Sequence, residues 1–228
     1  MITASTVTES ANFIQQHSEM VSVNRNHIQS AAMTVISLLN NYKLENRGKS
    51  AEWIFFCDLL NFSFWSEEEY FVEYGQQRET GYKSLLLVIE RAIELNPDIL
   101  SPQYYANASE EELATVFKCV SGNYPHLKKR ISVLKEAGTV LLERFDGSVE
   151  SMIRNGKNSA IALLNILFDN FPSFRDCSDF EGKTVCFLKR AQIFIADLWY
   201  NFGGQGLGEF HDIDSITMFA DYRVPQVK

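Results

Sequence analysis

The residue types that do chemistry are concentrated near the end of the chain. The stretch FLKRAQIFIADLWYNF, beginning at Phe187, is apolar nearly all the way round when wound as a helix, and its polar exceptions are Lys189, Arg190, Gln192 and Asp197. A helix of that character is buried. A buried ammonium or carboxylate is costly unless it is paired or faces a polar cavity, so Lys189 and Asp197 need partners. Two accounts stay open: a structural ion pair or snorkelling lysine, and a lined pocket. The following stretch, GGQGLGEFHDIDSITMFADYRVPQ, supplies Gly203, Gly204, Gly206 and Gly208 together with the carboxylates Asp212, Asp214 and Asp221. Such glycines let backbone amides approach a phosphate. However, no Lys-Ser/Thr follows at P-loop spacing, and a tight surface loop is the commoner origin of such a run. Asp212 and Asp214 in a D-x-D pattern offer hard oxygen ligands, but the rest of an EF-hand is lacking and Asp is equally a turn and helix-cap residue, so no metal is expected. His17, His27, His126 and His211 show no zinc-ligand spacing. There is no G-x-S-x-G elbow and no cysteine in a nucleophile motif, which argues against serine-hydrolase and thiol-protease chemistry.

The elements that must position these residues read mostly as helices. Residues 5–18 and 27–40 have helical patterning, the second with Ile28, Ala31, Ala32, Val35, Ile36 and Leu39 on one stripe for packing. The polar stretch from Asn40 to Ser50 is a connector, and the nearly continuous apolar run from Glu52 to Trp65 belongs in the interior. Gly81 to Leu95 is an amphipathic helix stopped by Asn96-Pro97, and Ser109 with Glu112 forms a capping box for the next. Pro125 suits the first turn of a helix carrying Leu127, Ile131, Leu134 and Leu141, which Gly138 and Gly147 loosen or end. Asn158 to Phe168 is a short apolar helix closed by Phe171-Pro172. Only Thr184 to Leu188, after the Glu181-Gly182 turn, is strand-like. The expected fold is therefore mainly α with one small β-hairpin. With no dividing linker, it is expected to be one domain over residues 1–228.

Composition narrows the partners. A formal net charge of -8 argues against polymeric nucleic acid, which calls for clustered Lys and Arg. No apolar run approaches the roughly 18 residues that span a bilayer, and the N-terminus lacks the basic and apolar regions of a signal peptide. No membrane association is expected. Cys57, Cys119, Cys177 and Cys186 form no CxxC pair, which reads as reduced thiols in a cytoplasmic protein, a nuclear location being compatible.

Five segments in one order carry a resemblance: LLNFSFW (Leu59 to Trp65), GYKSLL (Gly81 to Leu86), FPSFRD (Phe171 to Asp176), FLKRAQIFIADLW (Phe187 to Trp199) and ITMFADYRVPQ (Ile216 to Gln226). Together they resemble the queuosine salvage proteins, over essentially the whole chain and most strongly in its last 60 residues. The resemblance implies a fold similar to the helical DNA glycosylases. It also implies a monomer that needs no cofactor and hydrolyses the N-glycosidic bond of queuosine 5'-phosphate to release queuine for tRNA modification. By the same resemblance Phe219 lies against the base, Asp221 lies at the ribose and Lys189 is a pocket residue. The chain departs from the family pattern in having no histidine between Lys43 and Ser50 and in stopping soon after the VPQ segment, as if the family's C-terminal part were missing. The alternative reading is a truncated, inactive helical binding module.

N-glycoside hydrolysis passes through an oxocarbenium-like sugar that a carboxylate stabilises or attacks, and Asp221 is the candidate. Lys189 could instead hold Asp221 ionised. The secondary ammonium of queuine needs another carboxylate, with Asp197, Asp212 and Asp214 unranked. The 5'-phosphate needs cations, and Lys189, Arg190 and Arg223 are the nearby choices, with Tyr222 beside them in the substrate-binding segment. Asn61, Phe62, Phe64 and Trp65 either form a wall for the flat base or belong to the core.

Overall fold

The computed structural model describes residues 4–20, 22–39 and 48–221. Ten α-helices occur among the described residues: α1 (Ala4–His17), α2 (Ile28–Leu39), α3 (Ala51–Leu59), α4 (Gly81–Leu95), α5 (Pro102–Asn107), α6 (Glu110–Val116), α7 (Leu127–Arg144), α8 (Val149–Asn155), α9 (Ala160–Asn170) and α10 (Lys189–Asn201). Serine caps start several of them. Ser50 accepts from the Trp53 amide ahead of α3, Ser148 from Ser151 ahead of α8, and Ser109 completes the expected capping box with Glu112 ahead of α6. No described helix is long and apolar enough to cross a membrane.

Helix α3 lies at the centre because almost every side chain it has is apolar. Phe55, Phe56, Leu59 and the following Leu60 are buried, and the Phe55 ring meets those of Phe171, Phe174 and Phe194 at centroid distances of 5.5–6.0 Å. Phe194 belongs to α10, so the aromatic cluster packs the expected chemistry-bearing helix directly on the core. The interior run is shorter than expected. Past Leu60 the chain leaves the helix and Ser63 takes a positive φ of 41°, which turns Phe62 and Phe64 half out and leaves Trp65 73% exposed. The stripe expected on α2 also differs, since Ile28 is 55% exposed and Ala31 and Ala32 are exposed; the side chains of Val35, Ile36 and Leu39 lie outside the described residues. Most of the expected connector from Asn40 to Ser50 does too.

Gly138 does not loosen α7. The helix runs through it because α5 crosses there so closely that a Cβ would come within 2.8 Å of Tyr105 and Ala106. Pro125 stands outside the first turn, ahead of His126, which caps α7 in the left-handed region.

Among the described residues two antiparallel hairpins are present where one was expected. β1 (Val72–Tyr74) pairs with β2 (Gln77–Glu79), strands of three residues too short to show alternation in sequence. β3 (Cys177–Phe180) pairs with β4 (Lys183–Cys186) across the expected Glu181-Gly182 turn, where both residues have positive φ as a type I′ turn requires. The strand stops at Cys186 instead of reaching Leu188, which adopts φ 51° and caps α10. This pairing also corrects the thiol reading. Cys177 and Cys186 are directly opposite across the ladder and form a disulfide, leaving Cys57 and Cys119 free.

Candidate active site

The first turn of α10 is built between two carboxyl groups. Asp176, in the segment joining α9 to β3, accepts the Lys189 amide at 2.8 Å and so caps α10, which has no side-chain cap of its own at Leu188. At its other end, Lys189 places Nζ 2.5 Å from Oδ2 of Asp221. Both members of this ion pair are largely withdrawn from water, at 22% and 28% side-chain exposure, where Coulombic attraction is less screened than at an open surface. Asp221 is brought there by Gln192, one turn along α10. The fully buried Gln192 amide donates to the Phe187 carbonyl and accepts from both the amide and hydroxyl of Thr217, at 2.8 and 3.0 Å. Thr217 thereby aligns its segment against α10. A turn in which the Asp221 amide donates to the Phe219 carbonyl at 2.8 Å then presents the half-buried Phe219 and Asp221.

Lys189 forms part of the wall of a cavity of about 460 Å³, large enough for a nucleotide-sized ligand. Asp176, Arg190, Asn61 and Phe62 share that wall with it. Two arginines, the buried Arg130 and the half-buried Arg190, shape the loop that carries Asn61 and Phe62. Arg130 is fully buried and donates to the carbonyls of Leu60 at 2.5 Å, Phe62 at 2.6 Å, Ser63 at 2.9 Å and Pro125 at 2.9 Å. Arg190 donates to Leu59 at 2.5 Å and to the Ser173 carbonyl. Their guanidinium groups lie 4.5 and 4.8 Å from the centre of the Phe62 ring, which they hold on the cavity wall. Burial lowers both guanidinium pKa values, that of Arg190 to about 10, and leaves them cationic at neutral pH. At Asp176 burial outweighs the Lys189 amide and the Arg190 charge, and its carboxyl pKa is pushed up. One Asp176 oxygen, Oδ1, is buried with no hydrogen-bond partner.

The structure brings Lys189, Asp221 and Asn61 to one place, with Phe219 two residues from Asp221. Other expected site residues go elsewhere. Asp212 serves α9: its carboxylate accepts from the Ser159 hydroxyl at 2.7 Å, the Ala160 amide at 2.6 Å and the Ile161 amide at 3.3 Å. Burial pulls its pKa upward, but these bonds hold it net below the ordinary value. A D-x-D metal site or substrate contact is thus replaced by a helix cap made from a distance in sequence. Asp214 is exposed in a 3-10 turn, and Asp197 faces Asp58 on α3; neither lines the cavity. Phe64 packs against the Tyr82 ring and beneath Arg130, and the exposed Trp65 also lies off the cavity wall. Tyr222 and Arg223 lie outside the described residues. The glycine-rich stretch forms a loop with positive φ at Gly203, Gly204 and Gly206 and is likewise absent from the wall.

Ser63, His126, Lys129, Val133 and Asp176 line the cavity without having been singled out by sequence reasoning. Asp176 closes the FPSFRD segment, so that signal was present in the sequence. The others are on the loop after α3 and the start of α7, which only the fold brings to α10.

Comparisons with known proteins identify the family. The family model for queuosine salvage protein matches residues 40–228. Over 235 residues the chain is 38% identical to the queuosine 5'-phosphate N-glycosylase/hydrolase of Mus musculus, covering 96% of this chain and 70% of that relative. The protein of the same name from Nematostella vectensis is 40% identical over 235 residues, with 96% and 68% covered. That from Schizosaccharomyces pombe is 36% identical over 250 residues, with 98% and 72% covered.

Proposed function

The chain belongs to the queuosine salvage protein family, and we propose that it hydrolyses the N-glycosidic bond of queuosine 5'-phosphate, releasing queuine and ribose 5-phosphate. The observation that carries this reading is the Lys189–Asp221 ion pair, whose lysine lines a nucleotide-sized cavity. As the bond from the anomeric carbon to the base nitrogen lengthens, its electron pair goes to the base and positive charge gathers on the sugar. Asp221, held by Lys189, is the carboxylate assigned to stabilise that charge. Water then adds its oxygen to the anomeric carbon and loses a proton. The departing base must gain one. A 7-deazaguanine has no basic N7 to protonate early, so the proton goes to the base through another heteroatom. Asp176 is assigned as its source, because burial favours the protonated form of its carboxyl group. Phe62, on the cavity wall, and Phe219, beside Asp221, are assigned to contact the base.

Purified protein incubated with queuosine 5'-phosphate is expected to yield free queuine, detected by mass spectrometry. Asp221→Ala should lower kcat by about 10²- to 10³-fold, the range for loss of one preorganised electrostatic group. Absence of queuine from well-folded protein would overturn the enzyme reading in favour of a binding module. Wild-type turnover by Asp221→Ala would remove that residue from the mechanism.

A further inference from the structure

Asp176 and Lys189 are joined by main chain as well as by the cap between them, and the chain that joins them is the β3–β4 hairpin. Asp176 immediately precedes β3, and Lys189 follows β4 after Phe187 and Leu188. At the root of the hairpin the Phe187 amide donates to the Asp176 carbonyl at 3.1 Å, and the next pair along the ladder is Cys177 opposite Cys186. The Cys186 amide turns away from Cys177 and donates to the buried Ser10 hydroxyl of α1 at 3.0 Å. The cysteines are thus a non-hydrogen-bonded pair, the position at which facing side chains lie closest. Their disulfide supplies the link that the main chain lacks there.

β3 and β4 are four residues each and pair only with one another, a ribbon of marginal stability by itself. Ser178, Asp179 and the residues from Glu181 to Thr184 are exposed, and α1 meets the ribbon through Ser10 and through the Phe13 ring, which faces Phe180 and Lys183. Helix α10 nevertheless begins on this ribbon. Leu188 keeps a φ of 51°, which surrounding contacts must impose, and gives no side-chain cap, so the Lys189 amide depends on Asp176. A loosened root therefore frees both Asp176 and the lysine that holds Asp221. The two sulfurs differ in access, Cys177 being half-buried and Cys186 5% exposed. We infer that Cys177 and Cys186 are a thiol–disulfide modification site that controls the hydrolase: the oxidised pair holds the first turn of α10 against Asp176, and a dithiol reductant opens it. A thiolate of the reductant attacks Cys177 Sγ, and the bond between the two protein sulfurs breaks to release Cys186 as a thiolate that takes up a proton. The second thiol of the reductant then displaces Cys177 from the mixed disulfide. Two electrons and two protons pass to the cysteine pair, and the reductant leaves as its own disulfide. The effect on turnover rests on the nucleotide-hydrolase reading, whereas the effect on α10 does not.

Hydrogen exchange followed by NMR, on protein oxidised with glutathione disulfide or reduced with dithiothreitol, tests the site without turnover. Reduction should speed exchange of the Phe187 and Lys189 amides by about 10-fold or more relative to the amides of α3, as local opening does. Reduced protein should release queuine from queuosine 5'-phosphate about 10-fold or more slowly, the scale of a small displacement of reacting groups, and reoxidation should restore the rate. The double variant Cys177→Ser, Cys186→Ser should match reduced wild type under both conditions. Cys119→Ser, which leaves the pair intact, should respond as wild type does. Exchange that is equal in the two states, or that rises uniformly with α3, would overturn the proposal, as would a rate that ignores the redox state. Recovery of Cys177 and Cys186 as alkylatable thiols after glutathione disulfide treatment would overturn it too. Protein whose exchange responds but which releases no queuine in either state would instead sink the hydrolase reading and leave the thiol–disulfide site standing.

Discussion

Two carboxyl groups meet Lys189, Asp176 at its amide and Asp221 at its ammonium, and their surroundings suit them to opposite tasks. Asp221 is paired with a cation, whereas Asp176 is buried with one oxygen unbonded and its pKa raised. A pair of carboxyl groups in unlike environments is the usual basis for dividing charge stabilisation from proton donation. If Asp176 donates, its protonated form is the active one, so activity should fall as pH rises through its elevated pKa. Asp176→Asn keeps an oxygen able to accept the Lys189 amide but cannot give up a proton in this way. It should lower kcat by about 10²-fold or more, leave thermal stability nearly unchanged and abolish that descending limb of the kcat profile. A variant with wild-type kcat, or one that retains the limb, would end the assignment. Sequence reasoning reached Lys189 because a charge in an apolar helix stands out, and Asp221 through the family resemblance of the FADYR segment. It passed over Asp176 because an aspartate following an arginine in a loop reads as solvated, and only the fold reveals its burial.

Caps supplied from outside a helix decide several elements here. The N-terminus of α9 receives its own Ser159 and also Asp212, 52 residues from Ala160, which ties the glycine-rich loop region to the core. Asp212→Ala should destabilise the protein by about 1–2 kcal/mol, as loss of a carboxylate cap does, with kcat retained. Chemical denaturation and turnover together check this, and a stable variant with lost activity would return Asp212 to the substrate. Asp212 shows why the sequence was only partly legible. The D-x-D spacing was visible, but its choice between metal, substrate and cap depended on which helix end it met. Local signals fared better: the Ser109–Glu112 box, the Asn96-Pro97 stop and the Glu181-Gly182 turn each act within a few residues, and each appears in the fold. Gly138 was misread for the same reason as Asp212, since the chain that needs its missing side chain is α5.

At the scale of the whole molecule, the contact between α3 and α10 carries an unusual electrostatic burden. Asp58 is 1% exposed and neither of its carboxyl oxygens makes a hydrogen bond of normal geometry. Burial and then the neighbouring Asp197 raise its pKa well above the ordinary value, offset only in part by Asn61 and Arg190. Asp197 is itself pushed up to about 6 by burial. A carboxyl whose folded pKa exceeds its unfolded one makes the native state bind more protons, so its stabilising contribution is fully present below the unfolded value of about 4. That contribution is lost as pH rises towards about 6 for Asp197. Other groups, such as Asp212, act in the opposite direction, so the pair is isolated by the difference between wild type and Asp197→Asn. That difference should move in favour of the variant by on the order of 2 kcal/mol between pH 4 and 7, read from urea midpoints at constant m-value. A flat difference across that interval would mean that burial does not hold the Asp197 carboxyl above its ordinary range. A falling one would mean that Asp197 is ionised in the folded protein with a cation as partner. The same helix carries Lys189 to the cavity wall, so two unfavourably buried carboxyls are retained in the joint on which the site is mounted.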